Sequence, residues 1–269
     1  MAADEERLAV ELVEVHKSFG KQQVLKGVSL PVREGKTTVI VGASGQGKSV
    51  ALKLMLGLVK PDAGRVLVFG RDITRMRRGR LRELRRQFGV LFQSSALFDS
   101  MTVYDNVALP LRERTRLTEE EIRRIVCDKL ALMDLEGADE KFPAQLSGGM
   151  LKRVGLARAL VLDPKVVFFD EPTTGLDANK SNEIYRLFFR TQRRLGYTAV
   201  IVSHDVPKIF KLADYVALLA DGVVQGGCMT PEQFQLCDNP LIRSYVETTM
   251  GPLYSSVEEE APFHEEVQR

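Results

Sequence analysis

Apolar positions along the chain follow two different periods. Short apolar, β-branched runs bounded by turn signals fall at Ala9–Val15, Val24–Val32, Thr37–Val41, Arg65–Phe69 and Gly89–Phe92. Others fall at Val166–Asp170, Thr198–Val202, Tyr215–Leu219 and Val223–Gln225, and all of these predict strands. Apolar residues at three- and four-residue spacing predict helices over Lys48–Leu58, Glu119–Met133, Gly148–Leu162, Asn179–Leu195 and Val206–Leu212. From about residue 165 strands alternate with helices, which favours an α/β fold with a mainly parallel sheet core. The first 70 or so residues are richer in strands and predict an antiparallel β lobe. Between about Ser94 and Met150 no good strand occurs, so a helical subdomain, about 94–160, reads as an insertion. Beyond about Gly251, two prolines and clustered glutamates read as an extended tail.

Composition sharpens this picture only in places. The 269 residues leave room for about one or two domains. Wholly apolar runs such as Val216–Ala220 fall far short of the roughly 18 residues a bilayer span needs. The acidic N-terminus lacks the apolar stretch of a signal peptide, so the chain reads as cytosolic. A net charge of +2 is too near balance for a dedicated nucleic-acid binder. Eight arginines nevertheless crowd Arg71–Arg86 against Asp72 and Glu83. They fit an amphipathic helix with a solvated basic face, a contact for anionic lipid headgroups or a partner, or a nucleic-acid patch; the absence of interleaved aromatics disfavours the last. Cys127, Cys228 and Cys237 form no CxxC pair, which argues against a disulfide framework. His16 and His264 have no companion ligands, and no structural metal is expected.

Chemistry enters at Gly42-Ala43-Ser44-Gly45-Gln46-Gly47-Lys48-Ser49, which fits GxxxxGK[ST] between a predicted strand and a predicted helix. Glycines let backbone N–H groups converge on phosphate oxygens, and the helix N-terminus adds a favourable dipole. Lys48 is expected at the β- and γ-phosphates and Ser49 on Mg²⁺. Val166–Phe169 is an apolar strand whose end presents Asp170, a second Mg²⁺ partner. Glu171 follows as general base or water-orienting group.

Leu146-Ser147-Gly148-Gly149-Met150 precedes a long predicted helix, and with the phosphate loop it resembles the ATPase subunits of ABC transporters. The resemblance covers about residues 8–245, leaving 246–269 as a C-terminal extension, and implies a P-loop NTPase cassette that hydrolyses ATP with Mg²⁺. It implies a role for each matching residue. Phe19 would stack on adenine, where tyrosine is commoner. Gln93 would touch Mg²⁺ and the attacking water, Asp177 would belong to the D-loop, and His204 would contact the γ-phosphate. It also implies two cassettes stacked head to tail, each closing Ser147, Gly148 and Gly149 over the other's ATP. One phosphate loop and one signature then make the chain half of a homodimer.

The stretch from Gly89 to Glu113, GVLFQSSALFDSMTVYDNVALPLRE, looks like the ATPases serving Mla- and Mce-type lipid transporters. Met150 after LSGG and Val50 after Gly47-Lys48-Ser49 point the same way. Glu171–Asp177 instead has the general ABC form, a departure from the Mla branch. The resemblance implies peripheral attachment on the cytoplasmic side of the inner (plasma) membrane. The partners would be an integral-membrane permease and an MCE-domain protein handling phospholipid or other lipid cargo, with no nucleic acid. Permease contact is expected around Gln93–Asn106, with Leu97, Phe98 and Met101 either coupling residues or insertion core. A polar-solute importer is the alternative, and a soluble ABC ATPase acting on nucleic acid a more distant one.

Overall fold

Strands buried on both faces have no polar side to alternate with, and the central strands of this chain are of that kind. The computed structural model describes residues 7–204 and 209–250. In chain order its strands are β1 (Leu8–Phe19), β2 (Gln22–Arg33), β3 (Thr37–Val41), β4 (Ala63–Val68) and β5 (Arg71–Asp72). They continue with β6 (Phe88–Leu91), β7 (Val166–Asp170), β8 (Thr198–Val202), β9 (Tyr215–Ala220) and β10 (Val223–Met229). The helices are α1 (Lys48–Met55), α2 (Arg78–Leu84), α3 (Val103–Arg114), α4 (Glu119–Leu132) and α5 (Gly148–Leu160). Then come α6 (Ala178–Leu195), α7 (Pro231–Gln235) and α8 (Pro240–Met250).

Two sheets result. The larger has the order β10-β9-β3-β8-β7-β6 and is parallel except for the β9–β10 hairpin. The smaller, β2-β1-β4-β5, is antiparallel throughout. Alternate residues of the parallel strands feed two cores. From β7, Val167 and Phe169 enter one, and Val166 and Phe168 enter the other. The first core is closed by the inward faces of α3 to α6, the second by the antiparallel sheet and α1. Phe168 and Phe169 are fully buried, and each stabilises the fold by about 1.5–3 kcal/mol. The α/β class, the antiparallel lobe and the helical run between β6 and β7 match the expectation from sequence.

Local departures have local causes. The helix expected over Lys48–Leu58 ends at Met55, because Gly57 turns the chain out at φ 65°. The arginine-rich segment divides into β5 and the short α2. Within it Arg85 donates to the carbonyls of Leu56 and Gly57, so one cation of the supposed solvated face caps the end of α1. Of the helix expected over Val206–Leu212, residues 206–208 lie outside the described residues, and Phe210–Leu212 forms a 3-10 turn. The tail from Gly251 also lies outside them, while α8 runs through the expected boundary at residue 246.

Within the insertion, Leu97 packs against the helix-covered core while Phe98 stands half exposed. Asn106 of α3 holds them so. Its fully buried Oδ1 accepts from the Phe98 N–H at 2.8 Å. Its Nδ2 donates to the carbonyls of Phe98 (3.1 Å), Met101 (3.2 Å) and Thr102 (2.9 Å). Removing this side chain takes the partner from the Phe98 N–H and the Met101 carbonyl, while the Phe98 and Thr102 carbonyls keep backbone donors, and it empties a fully buried position, at a cost of about 2 kcal/mol. Asn106→Ala is therefore expected to lower the thermal midpoint by roughly 4–8 °C in scanning calorimetry; a change below about 1 °C would contradict it.

Candidate functional site

Four neighbouring parallel strands end at the same edge of the sheet, and four loops leave from there. Ile40 pairs with Val202, Val202 with Asp170, and Phe169 with Leu91. This register sets side by side the loop after β3, His204 two residues beyond β8, Glu171 one beyond β7, and Gln93 two beyond β6. Ligand sites of parallel α/β sheets form at such carboxyl ends.

The loop after β3 turns on glycines. Gly42, Gly45 and Gly47 have φ of 149°, 82° and 97°. A Cβ on Gly42 would come within 2.3 Å of the Leu219 carbonyl oxygen, and one on Gly47 within 2.9 Å of Val24 and Leu25. No other residue type fits at either place. Gly47 is the N-cap of α1, so the first N–H groups of that helix face the loop. Lys48 is buried and donates to the carbonyls of Gly42 (2.7 Å) and Ala43 (2.9 Å). Burial pulls its ammonium below the usual lysine range, and the negative charges of Glu171 and Asp170 oppose that pull. Ser49 donates to Asp170 Oδ1 at 3.1 Å, so a hydroxyl and a carboxylate, both hard oxygen donors, lie together beside the loop. Gln46 faces away and accepts from the Asp221 N–H at 2.7 Å.

Glu171 sits in the left-handed region at φ 48°, a conformation costing about 1–2 kcal/mol for a residue with a Cβ. Its backbone N–H still donates to Val202 at 2.9 Å, which holds the turn in place. The carboxylate Oε2 meets His204 Nδ1 at 2.6 Å; the Glu171 side chain is 15% exposed and that of His204 63%. These two residues, with Gln93, Thr174, Val24, Ser44, Gly45 and Gly47–Val50, line a cleft of about 610 Å³. A larger groove of about 930 Å³ lies elsewhere, its charges mixed between Arg71, Arg80, Arg86 and Lys165 on one side and Glu83 and Asp163 on the other.

The remaining sequence-predicted residues do not line the cleft. Ser147 caps α5, accepting from the Met150 N–H at 3.3 Å, and is exposed with Gly148. Asp177 caps α6 and pairs with Lys180 at 2.9 Å. Leu176, beside it, lies 3.1 Å from where a Gly148 Cβ would stand, so signature and D-loop touch within the chain. Phe19 is half exposed at the end of β1, with the Lys17 ammonium 5.4 Å from its ring centroid.

Sequence reading missed Thr174 and Val24, and it missed α8. Leu241, Ser244, Tyr245, Thr248 and Thr249 of that helix face Gly42, Ala43 and His204 across a second cavity of about 400 Å³. Burial pushes the Tyr245 hydroxyl up to about 12, against a backbone hydrogen bond from Gly42. A signal for the helix does exist: Asn239 caps it, Pro240 opens it, and Leu241, Ile242 and Tyr245 repeat at helical spacing.

A strand, a glycine turn and a lysine at the start of a helix, beside a second strand ending in two carboxylates, form the architecture of a P-loop ATPase. Comparison with known proteins narrows the class. The family model "ABC transporter" matches residues 25–174. A probable ribonucleotide transport ATP-binding protein, mkl of Mycobacterium leprae, is 41% identical over 94% of this chain and 73% of its own. The intermembrane phospholipid transport system ATP-binding protein MlaF of Haemophilus influenzae is 40% identical over 87% of this chain and 89% of its own. The ATP-binding cassette MJ0796, solved as a dimer in a post-hydrolysis state with ADP and Pi, superposes with a TM-score of 0.73. It is 33% identical and covers 80% of this chain and 96% of its own. The chain belongs to the ABC transporter family, as an ATP-binding cassette that hydrolyses ATP. Among the described residues no helix is long and apolar enough to cross a membrane.

Proposed function

We propose that the chain is the Mg²⁺-dependent ATPase subunit of a phospholipid transporter, working as a head-to-tail pair of copies beneath a membrane permease. The observation that carries the catalytic reading is the Glu171–His204 pair, which faces the same cleft as Lys48 and Gln93. ATP phosphates compete with the Gly42 and Ala43 carbonyls for Lys48, while the loop amides and the start of α1 receive the phosphate oxygens. Ser49 and Asp170, with Gln93, would hold Mg²⁺, whose chemistry there is to neutralise phosphate charge. Glu171 Oε2 takes the proton of the attacking water, and His204 Nδ1 fixes the direction of that carboxylate. Phe19, exposed at the end of β1, is free to stack on adenine.

No signature residue lines the cleft, yet Ser147–Gly149 open a helix whose N–H groups suit an anion. A second copy gives that helix its anion, and Asp177 lies at the same junction. The solved dimer of MJ0796 supports this arrangement by likeness. We take residues 8–245 as the ATPase unit, with about 94–160 as its helical part. The exposed Phe98, presented by Asn106, is the permease contact on the cytoplasmic side of the inner membrane.

Phospholipid is the cargo favoured because the chain accounts for 89% of the MlaF relative, against 73% of mkl, at nearly equal identity. The lipid reading brings in an MCE-domain protein as a further partner. Ribonucleotide transport, which the name of mkl suggests, is the second reading.

Two outcomes test these statements. Glu171→Gln is expected to bind ATP, hydrolyse it at least about 100-fold more slowly and sediment as a dimer with Mg²⁺-ATP. Full hydrolysis or a strict monomer would contradict the assignment. The permease complex, solubilised with this subunit in place, is expected to contain an MCE-domain protein and to hydrolyse ATP faster when phospholipid is added. Stimulation by ribonucleotides instead would overturn the lipid cargo.

A further inference from the structure

The segment that carries Gln93 leaves β6 in an unusual conformation. Ser95 and Ala96 are both left-handed, at φ 60° and 48°, and neither is glycine. Ser95 is also buried. Such a turn points its carbonyls away from any strand or helix ladder, so their partners come from elsewhere. Here the partners are two cations of α5. Lys152 Nζ donates to the Gln93 carbonyl. Arg158 donates from one nitrogen to the Ser95 carbonyl at 2.7 Å and from another to that of Ala96 at 2.8 Å.

Neither cation forms a salt bridge among the described residues, so these carbonyl dipoles are what stabilise them. Burial lowers the proton affinity of both side chains. A largely buried cation satisfied by backbone oxygens favours the geometry that keeps those bonds, since leaving it strands the charge. The helix is also pressed against this segment: a Cβ on Gly155 would come within 2.6 Å of Leu91 Cδ1 and 3.2 Å of Ser95 Cβ. Thus α5 starts at Ser147–Gly149 and, within the same rigid rod, grips the backbone of Gln93.

We infer that Lys152 and Arg158 are positioning residues that lock Gln93 to the signature helix of its own chain. When a second copy's nucleotide draws in the signature, Gln93 is carried with it toward the chain's own cleft. Each copy's engagement is thereby reported to its own catalytic centre through main-chain carbonyls. This rests on the reading above, in which Gln93 serves the cleft and the signature serves the second copy.

The test compares Lys152→Met, similar in length but without donors, with Lys152→Arg and Gln93→Ala. Lys152→Met is expected to lower kcat for ATP about tenfold while KM stays within about twofold. Amide hydrogen exchange at residues 94–98 is expected to rise about tenfold, with the rest of the chain unchanged. Lys152→Arg should restore both. A folded Lys152→Met with wild-type kcat, or with wild-type exchange in that segment, overturns the inference. Gln93→Ala separates the two failures: a wild-type rate there removes the role of Gln93 and the coupling with it, whereas a slow Gln93→Ala beside a fast Lys152→Met removes only the clamp. Should Lys152→Met fail to fold, Arg158→Lys keeps the charge, gives up the two-pronged grip and is read the same way.

Discussion

Between β6 and β3 the parallel hydrogen-bond ladder fixes where four loops emerge, and the cleft exists because they emerge together. Slipping β7 by one residue against β8 would turn the whole strand over, exchanging the two sets of core residues and moving Glu171 away from His204. That slip is prevented by burial on both faces. Val166 and Phe168 fill the core under the antiparallel lobe, and Val167 and Phe169 fill the core under the helices. The geometry at the phosphate loop is therefore maintained by apolar packing a full strand length away. The strained backbone of Glu171 persists for the same reason: its N–H is a rung of this ladder.

Under the proposed pairing of copies, the ladder builds half a site. The cleft gathers a phosphate loop, two carboxylates, a histidine and a glutamine, while the second anion-seeking helix start, at Ser147, opens elsewhere on the chain. A buried lysine satisfied by its own loop carbonyls would bind phosphate, as proposed, by exchanging partners with no large rearrangement. In the proposed dimer, closure by a second copy has to bring the remaining groups into line. On that proposal α5 links the two places where closure would act, since it carries the signature at its start and Lys152, bonded to the Gln93 carbonyl, along its length. From the other side, α8 rests Tyr245 near Gly42, so the phosphate loop is supported by elements far apart in sequence.

The parallel strands were legible because burial on both faces leaves uninterrupted apolar runs, and the motifs because phosphate chemistry admits few residue types at Gly42–Ser49. Both signals are local. The helix α3 gave a weaker one, since Pro110 interrupts its periodicity and its stability comes from packing and from Asn106. The loop capture by Lys152 and Arg158 had no signature in the sequence, because the acceptors are backbone carbonyls that any residue supplies. Arg85 misled for a related reason: a cation in a basic run reads as solvated, although its partners are the carbonyls ending α1. Phe98 and Leu97 could not be separated from sequence, and only the turn held by Asn106 directs one outward and the other to the core.

The central claim is that one chain's phosphate loop is completed by another chain's signature. Ser44 and Ser147 are both exposed, so cysteines placed there report on it directly, in a background where the exposed Cys127 is replaced by serine. With Mg²⁺-ATP and a mild oxidant, the Ser44→Cys, Ser147→Cys protein is expected to run at dimer mass on a non-reducing gel. Each single variant should stay at monomer mass. A bond formed only within one chain, or dimer bands independent of ATP and of the second cysteine, would contradict the account.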